Sequence, residues 1–229
     1  MQLEELPILP QTVAGAVAIL GGTGQQGGGL ARRLVQAGAS VIIGSRDPDR
    51  ARETVQGWAA ARPIEVADYS GAVAAAQTTV LAVPFESMDT VLATIGPHFA
   101  EGAVLIDVTV PITFAGGKMA LVDVPEGSAA EHVRARLPPQ VALACAFKTI
   151  PARLLAALEA PLDCDEFICG DSETARARAA MLVALLPGLR GVDVGPLGRA
   201  RSIEHMTALA IAINRRYKAH EARFRVIGI

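Results

Sequence analysis

The chain has 229 residues, 51% hydrophobic, 19% charged and 4% aromatic, with a formal net charge of −2 and a mean hydropathy of +0.36. That balance excludes an intrinsically disordered chain, which needs low hydrophobicity and high net charge, and offers no basic footprint for nucleic acid or an anionic membrane surface. No apolar run approaches the ~18 residues of a membrane span, because stretches such as 13–20 and 78–83 stop at glycine or proline.

Residues 1–14, with Pro7 and Pro10, read as an extension ahead of the fold. Their acidic start lacks the positive charge of a secretory signal, so a cytoplasmic location is expected. Cys145, Cys164 and Cys169 have no C-x-x-C spacing and read as buried thiols, and four scattered histidines argue against a metal site.

Ala16–Leu20 reads as a buried strand running into glycines, and Gly27–Ala37 as a helix stopped by Gly38. Val41–Gly44 is the second strand. Asp47 and Pro48 predict the cap and first position of a helix running towards Ala61, ended by Pro63. Ile64–Ala67 is a strand, Ser70–Ala76 a helix, Thr78–Val83 a strand closed by Pro84, Ser87–Ile95 a helix and Ala103–Val108 the fifth strand. Pro111–Gly127 reads as a long functional or mobile loop. Ser128 and Glu131 form a capping box for a helix reaching Arg136, and Val141–Cys145 is the sixth strand. Short apolar strands alternating with helices predict an α/β fold, a Rossmann-type doubly wound, mainly parallel sheet over residues 15–150.

Residues 151–229 are expected as a small α-rich substrate or dimerisation region. Arg153–Leu158 and Ser172–Leu186 read as helices, Glu166–Cys169 as a strand and Asp193–Pro196 as a turn. In the helix Ile203–Tyr217, the stripe Ile203, Met206, Ala210, Ile213 and Tyr217 is core, a subunit seam or a ligand wall. A homodimer is expected.

Gly22, Gly24 and Gly27 fill the G-x-G-x-x-G template where a strand passes into a helix, the context that a dinucleotide-binding loop requires. Backbone N–H groups at such a helix start point at phosphate oxygens. An NAD site carries an acid about 20 residues further on, at the tip of the second strand. Here that corner is Gly44-Ser45-Arg46, with Arg50 one turn later, a set suited to the 2′-phosphate of NADP.

No nucleophile elbow, Ser-His-Asp order or paired carboxylates stand out. Hydride transfer needs none of them, only two rings held face to face in a pocket at the C-terminal ends of strands. Val83-Pro84-Phe85, Thr109-Val110-Pro111 and Phe147-Lys148-Thr149-Ile150-Pro151 occupy such positions.

The stretches Gly21–Ala31, Gly44–Arg46, Val83–Glu86, Thr149–Ala152, Cys169–Asp171 and Asp193–Leu197 resemble the NADPH-dependent reductases of the deazaflavin coenzyme F420 over about residues 16–228. The resemblance implies reversible hydride transfer between NADP(H) and C5 of the deazaflavin, which is the co-substrate. It places Gly22, Thr23, Gly24, Gln25, Gln26 and Gly27 around the pyrophosphate and Ser45, Arg46 and Arg50 on the 2′-phosphate. Pro84, Phe85 and Ala152 come near the nicotinamide, and Val110, Pro111, Thr149 and Ile150 face the deazaflavin. Lys148 stands where the archaeal pattern has a histidine. Its ammonium would stabilise negative charge on the reduced deazaflavin, or it is a surface lysine after a strand.

Two alternatives stay open. One is an NADP-dependent reductase of another small acceptor, with Lys148 or His205 as general acid. The other is a non-catalytic NADPH sensor. An open apolar slot beside the nicotinamide favours an enzyme, and a filled one favours the sensor.

Overall fold

Eight strands form one sheet in the order β10-β9-β8-β5-β4-β1-β2-β3. The computed structural model describes residues 15–60, 62–115 and 118–229. The expected extension 1–14 lies outside the described residues. In chain order the elements begin β1 Val17–Leu20, α1 Gln25–Gln36, β2 Val41–Gly44, α2 Pro48–Gln56, β3 Glu65–Ala67 and α3 Tyr69–Ala74. They continue β4 Thr78–Leu81, α4 Met88–Ile95, β5 Val104–Asp107, β6 Ile112–Ala115, β7 Lys118–Leu121, α5 Ala129–Arg136 and β8 Ala142–Cys145. The last are α6 Ala152–Ala156, β9 Cys164–Gly170, α7 Glu173–Ala184, β10 Leu189–Pro196 and α8 Ala200–Tyr217.

The central strands β1, β2, β4 and β5 are buried at every residue, which accounts for their mainly apolar sequence; Thr78, Thr79 and Asp107 are the buried polar exceptions. Alternate residues feed two cores. Val17 and Ile19 of β1 join Leu30 and Leu34 of α1, Leu155 of α6 and Leu182 of α7 on one face. Ala18 and Leu20 join Val73 of α3, Leu92 of α4, Val133 of α5 and Ile203 of α8 on the other. The caps behave as expected: Asp47 accepts from Arg50 N, with Pro48 at the first position, and Ser128 accepts from Glu131 N.

β1 pairs in parallel with both β2 and β4, so the strand order reverses there. A crevice opens outside the carboxyl ends of strands at such a point, and ligands bind in it. The sheet runs on past residue 150 without a break. β8 pairs antiparallel with β9 through Cys145↔Cys169, and β10 lies parallel to β9 as an edge strand.

Three expectations are corrected. The expected turn Asp193–Pro196 is the end of a strand, Leu189–Pro196; two glycines, half-buried Arg190 and exposed Asp193 hide an edge strand bearing an irregularity between Asp193 and Gly195. The long loop after Pro111 carries the antiparallel hairpin β6–β7. The helix opened by Asp47 stops at Gln56, well short of Ala61.

Candidate active site

The turn between β1 and α1 is built so that backbone can approach a ligand. Gly21 sits at φ +75°, and a Cβ on Gly27 would stand 2.6 Å from the Gly21 carbonyl oxygen. α1 therefore starts hard against the turn. No side chain caps it and its first turn holds no acid. Its positive end opens on a cleft of about 400 Å³ walled by Thr23, Gly24, Gln25 and Gln26, by Ser45 and Arg46 after β2, and by Ala82–Pro84 after β4.

A second cavity of about 440 Å³ continues from Ser45, Arg46 and Ser87 towards Asp68, Thr90 and Thr94. Tyr69 walls both cavities. Burial pushes its phenol above the ordinary value, and the positive charge of Arg46 pulls it back. The Ser45 hydroxyl donates to the Asp47 carbonyl at 3.0 Å, closing the turn into α2. Arg50 is exposed and neither wall includes it.

At the other end of the cleft lies a smaller, largely apolar pocket of about 240 Å³. Val108 and Val110 line it from the segment after β5, Ile112 from the start of β6, Lys148–Pro151 from the loop after β8, Ala152 from the start of α6, and Thr207, Ala210, Ile211 and Asn214 from α8. Gln26 belongs to both walls, so the pocket adjoins the dinucleotide cleft at the first turn of α1. Gln26 is committed to protein: its amide donates to the carbonyls of Phe147 (2.9 Å) and Ile150 (3.3 Å).

Behind the pocket is a network of buried charge. Lys148 Nζ donates to Asp107 Oδ2 at 2.6 Å, to Glu204 Oε1 at 3.1 Å and to the Thr109 carbonyl. Burial opposes the ammonium, but Asp107 and Glu204 outweigh it and hold the lysine charged. Asp107 Oδ1 accepts from Thr109 N (2.9 Å) and its hydroxyl (2.6 Å), and Glu204 Oε2 accepts from Ala129 N at the start of α5 (3.1 Å). Glu204 is pushed above the usual carboxylate value by burial, with Lys148 opposing.

This corrects one expectation for Lys148, which also lines the pocket. Its side chain is fully buried, so it is not a surface lysine. The three N–H groups of the ammonium are all spent on protein acceptors. The other expected residues divide. Gly22 and Gly27 shape the turn; Thr23, Gly24, Gln25, Gln26, Ser45, Arg46 and Pro84 wall the cleft; Val110, Thr149, Ile150 and Ala152 wall the pocket. Phe85 lies half-buried against the His132 ring (centroids 5.2 Å apart). Pro111 is buried and its carbonyl accepts Val122 N at 2.7 Å, outside the pocket wall. His205 is exposed, with Nδ1 2.6 Å from the Arg201 carbonyl. Sequence reasoning missed Tyr69, Thr207, Asn214 and the acids Asp107, Glu166 and Glu204. An acid closing the apolar strand β5 and another inside the buried stripe of α8 were the available signals.

A dinucleotide cleft at the strand-order reversal, an arginine past β2 in place of an acid, and an apolar slot abutting the cleft make this a Rossmann-fold NADP-dependent oxidoreductase. Residues 16–111 match the family described as NADP oxidoreductase coenzyme F420-dependent. The chain is 38% identical to the F420-dependent NADP reductase of Methanothermobacter thermautotrophicus, covering 93% of this chain and 95% of that one, and 32% identical to that of Methanocaldococcus jannaschii, covering 93% and 98%. The chain belongs to the F420-dependent NADP reductases. Its fold is that of an Arthrobacter sp. FB24 crystal structure assigned to the same activity (TM-score 0.78, 23% identity, 94% and 100% covered). It is shared more distantly by an NADPH-bound reductive aminase of Aspergillus terreus (TM-score 0.59, 16% identity, 90% and 63% covered).

Proposed function

We propose that this protein transfers a hydride reversibly between NADP(H) in the glycine-turn cleft and the deazaflavin F420 in the adjoining pocket. One observation carries the reading: an open apolar slot meets the dinucleotide cleft at Gln26. When bound together, the two ring systems supply the hydride donor and acceptor; the chain has to hold them face to face and exclude water. The uncapped start of α1 takes the pyrophosphate, with Thr23, Gly24 and Gln25 around it. Arg46 and Ser45 take the 2′-phosphate, and Pro84 and Ala152 flank the nicotinamide. Val110, Thr149 and Ile150 face the deazaflavin. A filled slot would have favoured a sensor, and this slot is open. Leu209 and Tyr217, 53% and 75% exposed on α8, fit a seam with a second copy, read by light scattering. The three free cysteines fit a reducing cytoplasm.

The test mixes purified protein with NADPH and oxidised F420 and follows deazaflavin absorbance, with NADH and FMN as controls. Bleaching with NADPH alone supports the reading. No bleaching with NADPH binding intact overturns it in favour of another acceptor or a sensor.

A further inference from the structure

The loop after β8 is held by its backbone from three elements. Gln26 on α1 donates to the carbonyls of Phe147 and Ile150, and the Thr207 hydroxyl on α8 donates to the Lys148 carbonyl at 2.9 Å. Glu166 on β9 supplies the opposite half. It accepts the Lys148 N–H at 3.0 Å and the Thr149 hydroxyl at 2.9 Å, one on each carboxyl oxygen. Phe147 is at φ +61°, a backbone that non-glycine residues rarely adopt and that persists only when the surroundings impose it.

Glu166 itself is fully buried, and among the described residues it makes no ion pair. The ionisable groups around it are already engaged. Lys148 turns its ammonium to Asp107 and Glu204, and Arg33 of α1 spends its guanidinium on the carbonyls of Leu154, Leu155, Ala157 and Ala160. Cys164, beside it on β9, is pushed up to about 11, by burial first and then by Glu166. Asp165 faces the other way and pairs with Arg190, and on α7 Arg176 pairs with Asp193. Two donors, a backbone N–H and a hydroxyl, converge on one carboxyl, and the segment they hold carries Thr149 and Ile150 into the pocket wall.

We propose that Glu166 is a positioning residue for hydride transfer: as a carboxylate it gathers the loop at Lys148–Thr149 and fixes the acceptor-side wall, and on protonation it releases that wall. The inference rests on the pocket being the acceptor site. A carboxylate is acceptor-only, whereas a protonated acid turns one oxygen into a donor against the donors it was holding. Burial pushes the carboxyl up to about 7, so both states are populated near neutrality.

The test has an arm that needs no turnover. Hydrogen exchange of the Lys148 amide, corrected for intrinsic rate, is measured from about pH 5.5 to 8.5, alongside KM for F420 and for NADPH over the same range. Protection is expected to fall on acidification through neutrality. KM for F420 should rise roughly tenfold, the scale of one charge-assisted hydrogen bond, while KM for NADPH holds. Glu166→Gln should fix both readouts at the acid value at every pH. A titration of the acceptor itself would persist in that variant. Flat protection in the wild type overturns the proposal, and so does a Glu166→Gln variant that loses thermal stability but keeps the wild-type pH profile. If the variant does not fold, the wild-type exchange profile decides. If F420 is not reduced at all, the proposed function fails while the exchange arm still reads the clamp.

Discussion

Lys148 and Asp107 meet at 2.6 Å with neither side chain exposed to solvent. Asp107 ends β5 and Lys148 lies three residues past β8, its parallel neighbour, and Glu204 of α8 closes the group. One lysine thus ties the pocket loop, the central sheet and the last helix together. It also explains why two carboxylates are tolerated in a core otherwise built of small apolar side chains: each accepts hydrogen bonds on both oxygens.

Lys148→Met should strand Asp107 and Glu204 without their cation and lower unfolding free energy by about 3–5 kcal/mol, the usual penalty for removing one partner of a buried pair. Adding Asp107→Asn should recover at least half of it. Urea denaturation of the two variants and the Asp107→Asn single checks the cycle; a Lys148→Met loss under about 1 kcal/mol would sink the idea that the pair is structurally coupled.

Arg46→Ala should raise KM for NADPH roughly 10- to 100-fold and leave KM for NADH nearly unchanged, because only the former loses a charge-assisted contact. Equal loss for both coenzymes would mean that Arg46 serves the Tyr69 packing and not the 2′-phosphate. Arg50, exposed beyond the cavity walls, should show a smaller effect when replaced by alanine.

Gly27→Ala places a methyl 2.6 Å from the Gly21 carbonyl and 3.0 Å from Gly22 Cα, backbone on both sides. The first turn of α1 must then move outward. Overpacking of this kind costs about 1–3 kcal/mol, and NADPH affinity, read by fluorescence titration, should fall sharply. Unchanged affinity would show that the turn does not set the phosphate position.

The Glu126 carboxyl is held down to about 2, first by the Arg136 hydrogen bond and then by His132. A depressed acid binds fewer protons when folded than when unfolded, so its stabilisation is complete above the unfolded value of 4.5 and is lost as pH falls towards about 2. The melting temperature of the wild type should therefore drop more steeply than that of Glu126→Gln between those limits, and parallel curves would refute the assignment.

The parts of this protein visible in its sequence are those governed by local rules. Strand burial, the Asp47-Pro48 and Ser128 caps, and the glycine turn each follow from a few adjacent residues. The pocket is different. Its far wall comes from Thr207 to Asn214, about sixty residues beyond Thr149, and only the packing of α8 over the sheet brings them together. Tyr69 reaches the dinucleotide cleft because β3 pairs with β2 through Gly44↔Ala67, a neighbour relation that periodicity does not reveal. Lys148 shows in the sequence only as a lysine after a strand, whereas its three acceptors are drawn from residues 107, 109 and 204, which only the fold brings together.

Gln26 lines both the cleft and the pocket, and in the proposed arrangement this divides the protein into regions that can and cannot be redesigned separately. Coenzyme preference can be retuned at Ser45, Arg46 and Tyr69 without disturbing the acceptor slot, because those residues lie at the opposite end of the cleft. Any change in the opening turn of α1 alters the fit of both substrates together. A library seeking a new hydride acceptor therefore belongs on Ile150, Ile211 and Asn214, with the glycine-rich turn left as it is.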